Sequence, residues 1–205
     1  MGLLEGKKAT TNQTYARLFK KQYPGVNLQA DQMLTQDDNI ICSGAASAVN
    51  TLAIHLIRKF GSPKLASVCS KALLVDPNRI SQAPYAMSAP LRSHMDDQVL
   101  KAQTIIENTF SRLETIDDLA KEVGISPRHF KRRFKKATGE LPLKDLQRVR
   151  IDAAKEKLET TQDTIDKITW AFGYKDVSSF CRLFKQHARI SPRAYREKFY
   201  AQISF

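Results

Sequence analysis

The sequence predicts a mainly α protein in which a partial α/β region precedes a bundle of helices holding two helix-turn-helix subdomains. Two observations carry this. Thr115–Gly124 (TIDDLAKEVG) returns as Thr164–Gly173 (TIDKITWAFG) at an offset of 49 residues. Phe130, Arg132, Phe134 and Lys135 then return as Phe180, Arg182, Phe184 and Lys185 at an offset of 50, and Pro142 and Pro192 close the two copies. Each copy reads as a short helix, a glycine turn and a second helix, the outline of a helix-turn-helix. In a chain of net charge +12, that outline points first to DNA.

Ahead of the repeat, Thr14–Tyr23 reads as a helix ended by Pro24-Gly25. Val26–Leu34 and Asn39–Ser43 read as short strands around the turn-former Asp37-Asp38-Asn39. Gly44–Phe60 reads as a helix with Val49, Leu52, Ala53, Leu56, Ile57 and Phe60 on one stripe, stopped by Gly61. Ser62-Pro63 supplies the cap and first-turn proline of a helix running to about Leu74. Two strands are too few to close a sheet, so this α/β region, 1–74, is expected to be truncated at its N-terminus or completed by a partner. The segment 75–94 holds three prolines and no sustained apolar period, and is expected to be a linker.

From 95 to 200 the chain reads as helix after helix. Met95, Val99, Ala102, Ile106 and Phe110 follow a 3.6-residue period. Thr115 with Asp118 caps the next helix, Ser126-Pro127 opens the third, and Gly139 ends it. Pro142–Glu159 is a longer helix with Leu143, Leu146, Val149, Ala153 and Leu158 inward. Thr164–Ala171, Asp176–His187 and a last helix from Ser191-Pro192 repeat the pattern. Trp170 is expected in the core, and Gly124 and Gly173 at the tight turns.

Reading base pairs requires a helix in the major groove with donors on one face and apolar anchors on the other. Phe130 and Phe134 are the anchors of the first copy, with Arg128, Lys131, Arg132 and Lys135 as the stripe opposite. In the second copy Phe180, Leu183 and Phe184 face in, while Ser178, Cys181, Arg182 and Lys185 form the outer stripe. Arginine at the same place in both stripes suits guanine, whose O6 and N7 accept its fork together. Arg133, Lys135 and Lys185 are expected at phosphates, which position a protein without specifying sequence. His129, in the first turn of its helix, is expected either to touch DNA or to cap.

ISPRHFKRRFKKATGELP and IDKITWAFGYKDVSSFCRLFKQHARISPRAYR resemble the C-terminal DNA-binding domain of the AraC/XylS family of bacterial transcription regulators. The resemblance covers 95–200. It implies a seven-helix fold in which one long helix, here Pro142–Glu159, bridges two helix-turn-helix subdomains. It also implies base-reading positions at Arg128, Lys131 and Arg132 in one helix and at Ser178, Ser179, Cys181 and Arg182 in the other. Cys181 departs from the more usual polar residue. LLEGKKATTNQTYARLFKKQYPGVNL and DNIICSGAASAVNTLAIHLIRKFG resemble the later part of PfpI/ThiJ-like, amidotransferase-type domains. The nucleophile elbow of their enzymatic members is expected ahead of Met1, and Asn12 stands where relatives often carry histidine.

The resulting expectation is a sequence-specific transcription regulator rather than an enzyme. The alternative is a PfpI-like hydrolase or amidotransferase with a DNA-binding appendage, for which no nucleophile–base pair is evident. Cys42 is read as structural. Cys42, Cys69 and Cys181 form no CxxC, and the four histidines have no metal-ligand spacing, so no cofactor or metal is expected. The most apolar run, Ala45–Ile57, is too short and too polar for a membrane. Double-stranded DNA is the expected partner. A small-molecule effector, a second copy of the chain and RNA polymerase are further candidates, in a cytoplasmic, nucleoid-associated setting.

Overall fold

The computed structural model describes residues 2–86, 92 and 94–200. The chain divides into two compact units, Met1–Ala86 and Met87–Phe205.

In the first unit, β1 (Lys8–Ala9) and β2 (Asn27–Leu28) pair in parallel, joined through α1 (Ala16–Gln22). That is a short β-α-β crossover. β3 (Leu34–Asp37) and β4 (Ile40–Ser43) form an antiparallel hairpin whose turn is Asp38-Asn39, with Asp38 in the left-handed region at φ 51°. The strand expected over Val26–Leu34 is thus corrected. Gln32 N–H donates to the Gln29 carbonyl, closing a turn at the polar run 29–32, and the hairpin arm starts only at Leu34. β1 itself carried too few apolar residues to be anticipated.

α2 (Ala48–Phe60) and α3 (Pro63–Ala72) pack against each other, and the Ser62 hydroxyl caps α3 by accepting from Leu65 N–H. α2 begins later than expected, and its buried face centres on Ala48 and Ile54, leaving Val49 and Phe60 exposed. Part of the expected linker also belongs to this unit. Met33 N–H donates to Ile80, and the buried Gln82 amide donates to the carbonyls of Thr11 and Ala30 at 2.7 and 2.8 Å. The expected linker therefore contracts to the stretch after Ala86, of which 87–91 and 93 lie outside the described residues.

The second unit is helical: α4 (Asp97–Thr109), α5 (Ile116–Glu122), α6 (Pro127–Thr138), α7 (Pro142–Thr160), α8 (Ile165–Ala171), α9 (Val177–Ala188) and α10 (Pro192–Phe199). Its helices make two cores. Val99, Ala102, Ile106, Leu119, Phe130, Phe134 and Leu146 belong to the first, and Ile151, Ala154, Leu158, Ile168, Phe180, Phe184 and Tyr195 to the second. α7 serves both, giving Leu146 to one and Ile151, Ala154 and Leu158 to the other. This division corrects the expected inward set, because Leu143 is exposed and Ile151 buried. Met95, expected to open the α4 stripe, is exposed ahead of the Asp96 cap.

Both short helices end in the same way. Gly124 and Gly173 take φ of 74° and 76°, and the following N–H of Ile125 or Tyr174 reaches back to Ala120 or Thr169. Their surroundings differ. A methyl group at Gly124 meets open space, whereas one at Gly173 falls 2.7 Å from the Ser111 carbonyl oxygen and 2.9 Å from the Arg150 guanidinium. Gly124→Ala is expected to cost ~1–2 kcal/mol, the left-handed penalty alone. Gly173→Ala adds a clash with backbone, so denaturant melts should show the larger loss for it; equal losses would contradict this packing.

Candidate nucleic-acid interface

The repeat in the sequence is a repeat of cores. Leu119 and Ala120 on α5 and Val123 just after it correspond to Ile168 and Thr169 on α8 and Phe172 just after it, and all six are buried. Phe130, Phe134 and Thr138 on α6 correspond to Phe180, Phe184 and Ala188 on α9, again all buried. The Phe130 and Phe134 rings meet edge to face at 5.6 Å, Phe180 and Phe184 lie 5.8 Å apart, and Phe184 meets Tyr195 edge-on at 5.4 Å. These anchors fix the rotation of each helix and so turn the opposite faces to solvent. Arg128, Lys131, Arg132 and Lys135 are exposed on α6, and Ser178, Arg182 and Lys185 on α9. Exposed His129 adjoins the first set.

Among the described residues, the side chains of Arg128, Arg132, Lys135 and Lys185 make no hydrogen bond or ion pair. Lys131 Nζ lies 2.8 Å from an Asp117 carboxylate oxygen, tying α6 to α5. Asp176 caps α9 by accepting from Ser179 N–H at 2.7 Å. The Ser179 amide, the Ser179 hydroxyl and the charge of Arg182 hold the Asp176 carboxyl below its ordinary value.

Two expected contacts lie elsewhere. Arg133, expected at a phosphate, is half-buried: its Nε donates to the Asp96 carboxylate at 2.6 Å, and another guanidinium nitrogen bonds Gln98. Asp96 also caps α4 through Val99 N–H. Burial opposes the Asp96 charge, but Arg133, the Val99 amide and His94 outweigh it and hold the carboxyl below its usual value. Arg133 therefore fastens α6 to the start of α4. Cys181, expected at a base, packs half-buried against the second core, where burial and then the Asp166 charge push its thiol up.

Sequence reasoning missed Arg150. From α7 its Nε donates to the Phe110 carbonyl at 2.9 Å and its Nη2 to the Leu113 carbonyl at 2.8 Å, while the guanidinium lies 5.4 Å from the Tyr174 ring centre. One side chain thus joins the end of α4, the long helix and the second subdomain. Phe110 bridges the same seam, touching both cores and meeting the Phe172 ring at 5.7 Å. An arginine beside Ile151, on the inward part of a helix, was the available signal. Trp170 is corrected in the other direction, being 58% exposed at the end of α8.

Residues 119–198 match the family model described as a helix-turn-helix domain, so the match takes in both copies. The solved C-terminal domain of AraT, a response regulator from Geobacillus stearothermophilus, superposes with a TM-score of 0.53 at 26% identity, over 55% of this chain and 95% of that domain. A relative from Streptomyces lividans, described as an AraC-like transcription regulator, is 30% identical over 155 residues, 75% of this chain and 50% of its own. The second unit contains an AraC-type helix-turn-helix domain. The HTH-type transcriptional regulator ArgR of Pseudomonas aeruginosa is 22% identical over 201 residues, 97% of this chain and 60% of its own length. The chain thus spans between half and two thirds of these two relatives.

Within the AraC-type domain, His187 lies on the inner side of α9, toward α7. Burial, and then the positive charges of Lys144, Lys155 and Arg148, push it down to about 4 from an ordinary 6.5. The folded state thus favours neutral imidazole. The stability this gives is complete above about pH 6.5 and is lost progressively as pH falls toward 4, where the unfolded chain takes up the proton first. His187→Gln should flatten that part of the stability–pH profile, read from urea melts followed by the single tryptophan, Trp170. Parallel profiles for parent and variant would count against a buried neutral His187.

Proposed function

We propose that the chain is a sequence-specific DNA-binding transcription regulator in which α6 and α9 enter successive major-groove segments of one duplex. The observation that carries this reading is the pair Arg132 and Arg182, exposed at equivalent positions on two helices whose rotation is set by equivalent phenylalanine anchors. Arg128, Arg132 and Arg182 read bases through their guanidinium forks, with Ser178 beside them and Lys131 reaching a base on leaving Asp117. Ser179 and Cys181, half-buried, flank this face. Lys135 and Lys185 lie against phosphates, where released counterions make affinity salt-dependent.

The first unit is read as the later part of a PfpI/ThiJ-like domain with a regulatory role, supported by its β-α-β crossover. Val49, Phe60, Leu65 and Val68 stand exposed on α2 and α3 and support pairing with a second copy. RNA polymerase is the partner that regulation itself implies. Catalysis is the weaker reading, because no nucleophile–base pair is evident in the sequence of the first unit. No helix among the described residues is long and apolar enough to cross a membrane.

Competition binding with a selected duplex and random DNA tests the assignment. Arg132→Ala and Arg182→Ala should each reduce the specific-to-random ratio by the equivalent of ~1–3 kcal/mol. Lys135→Ala and Lys185→Ala should weaken both DNAs alike and each lower the salt slope by about 1. Equal losses on both duplexes for the arginine variants would refute base reading.

A further inference from the structure

Within the first unit, β3, β4, α2 and the returning segment 77–80 line a half-open cavity of about 260 Å³. Met33, Leu34, Ile41, Ile54 and Ile80 give it apolar walls. Its charged lining is one-sided: beside Gln32, Gln36, Thr51 and His55, Arg58 and Arg79 contribute, and no carboxylate does. Arg79 stacks 4.0 Å from the Tyr85 ring centre, which holds the guanidinium flat. Neither Arg58 nor Arg79 forms an ion pair among the described residues. Apolar walls beside two guanidinium groups and no anion leave the cleft short of one thing, an acceptor of their charge.

We propose that this cavity binds a small aliphatic carboxylate. The apolar walls take the hydrocarbon body. The planar fork of Arg79 takes the carboxylate oxygens, a geometry that guanidinium matches in two parallel hydrogen bonds. Arg58 at the rim adds charge. The volume lies just below the ~300–1,000 Å³ of sites for drug-sized ligands, so the ligand is a short-chain acid. A phosphate ester carries more charge than such largely apolar walls suit. This inference concerns the first unit alone and stands whether or not the second reads bases.

Calorimetric titration and thermal shift of the full chain test it, with butanoate, pentanoate and hexanoate each set beside its carboxamide and with butyl phosphate as the competing anion. At least one acid should bind saturably and raise Tm, with the carboxamide about tenfold weaker or more. Arg79→Gln and Arg58→Gln should each weaken the acid by about tenfold and reduce its preference over the amide. Arg58 is exposed, so Arg58→Gln should keep the parent's ligand-free Tm and remain a fair test if Arg79→Gln is poorly folded. The proposal is overturned if no acid in the series binds, if acid and carboxamide bind alike, if a folded Arg58→Gln binds as the parent does, or if butyl phosphate binds more tightly than every acid.

Discussion

One helix holds two cores together, and the arrangement of the second unit depends on it. α7 gives Leu146 to the first subdomain and Ile151, Ala154 and Leu158 to the second, so neither core is complete without it. A helix of 19 residues is ~28 Å of hydrogen-bonded rod. Arg150 locks the seam by satisfying the carbonyls of Phe110 and Leu113, groups that would otherwise lack donors near the end of α4. α6 and α9 are thus attached to a single rigid element, which fixes the distance between their exposed faces.

The copies have diverged where their surroundings differ. α6 starts at Ser126 without a side-chain cap, whereas α9 starts at Asp176, whose carboxylate holds Ser179 N–H. An acid at a helix N-terminus is stabilising, and the nearby charge of Arg182 favours its ionised form further. α6 ends on Gly139 and α9 on Arg189, both left-handed at φ 81° and 60°, so the second copy tolerates backbone strain that the first avoids. The first copy carries six basic residues from Ser126 to Gly139 and no acid.

What was legible in the sequence was local. Caps, glycine stops and the 3.6-residue period are written within a few residues of where they act, so the helices from α4 to α10 fall close to expectation. What was not legible depended on the partner across the fold. Leu143 and Ile151 exchange roles because α7 changes neighbours midway, and no single stripe describes a helix with two cores. The repeat held signals that went unused. Trp170 corresponds to Lys121, an exposed position, and Arg133 corresponds to Leu183, a half-buried one, so the copies mark the tryptophan as outward and the arginine as inward. Residues 76–86 read as a linker because prolines punctuate them, yet Gln82 secures them through backbone carbonyls that no side-chain pattern reveals.

The central claim is that one rigid element sets the spacing between two base-reading helices. Selection of bound sites from a random duplex library tests it most directly. The account predicts two short conserved blocks whose centres lie about one helical turn apart, ~10 base pairs, with binding lost when five base pairs are inserted between them. A single block, or two blocks recovered at freely varying separations, would contradict it.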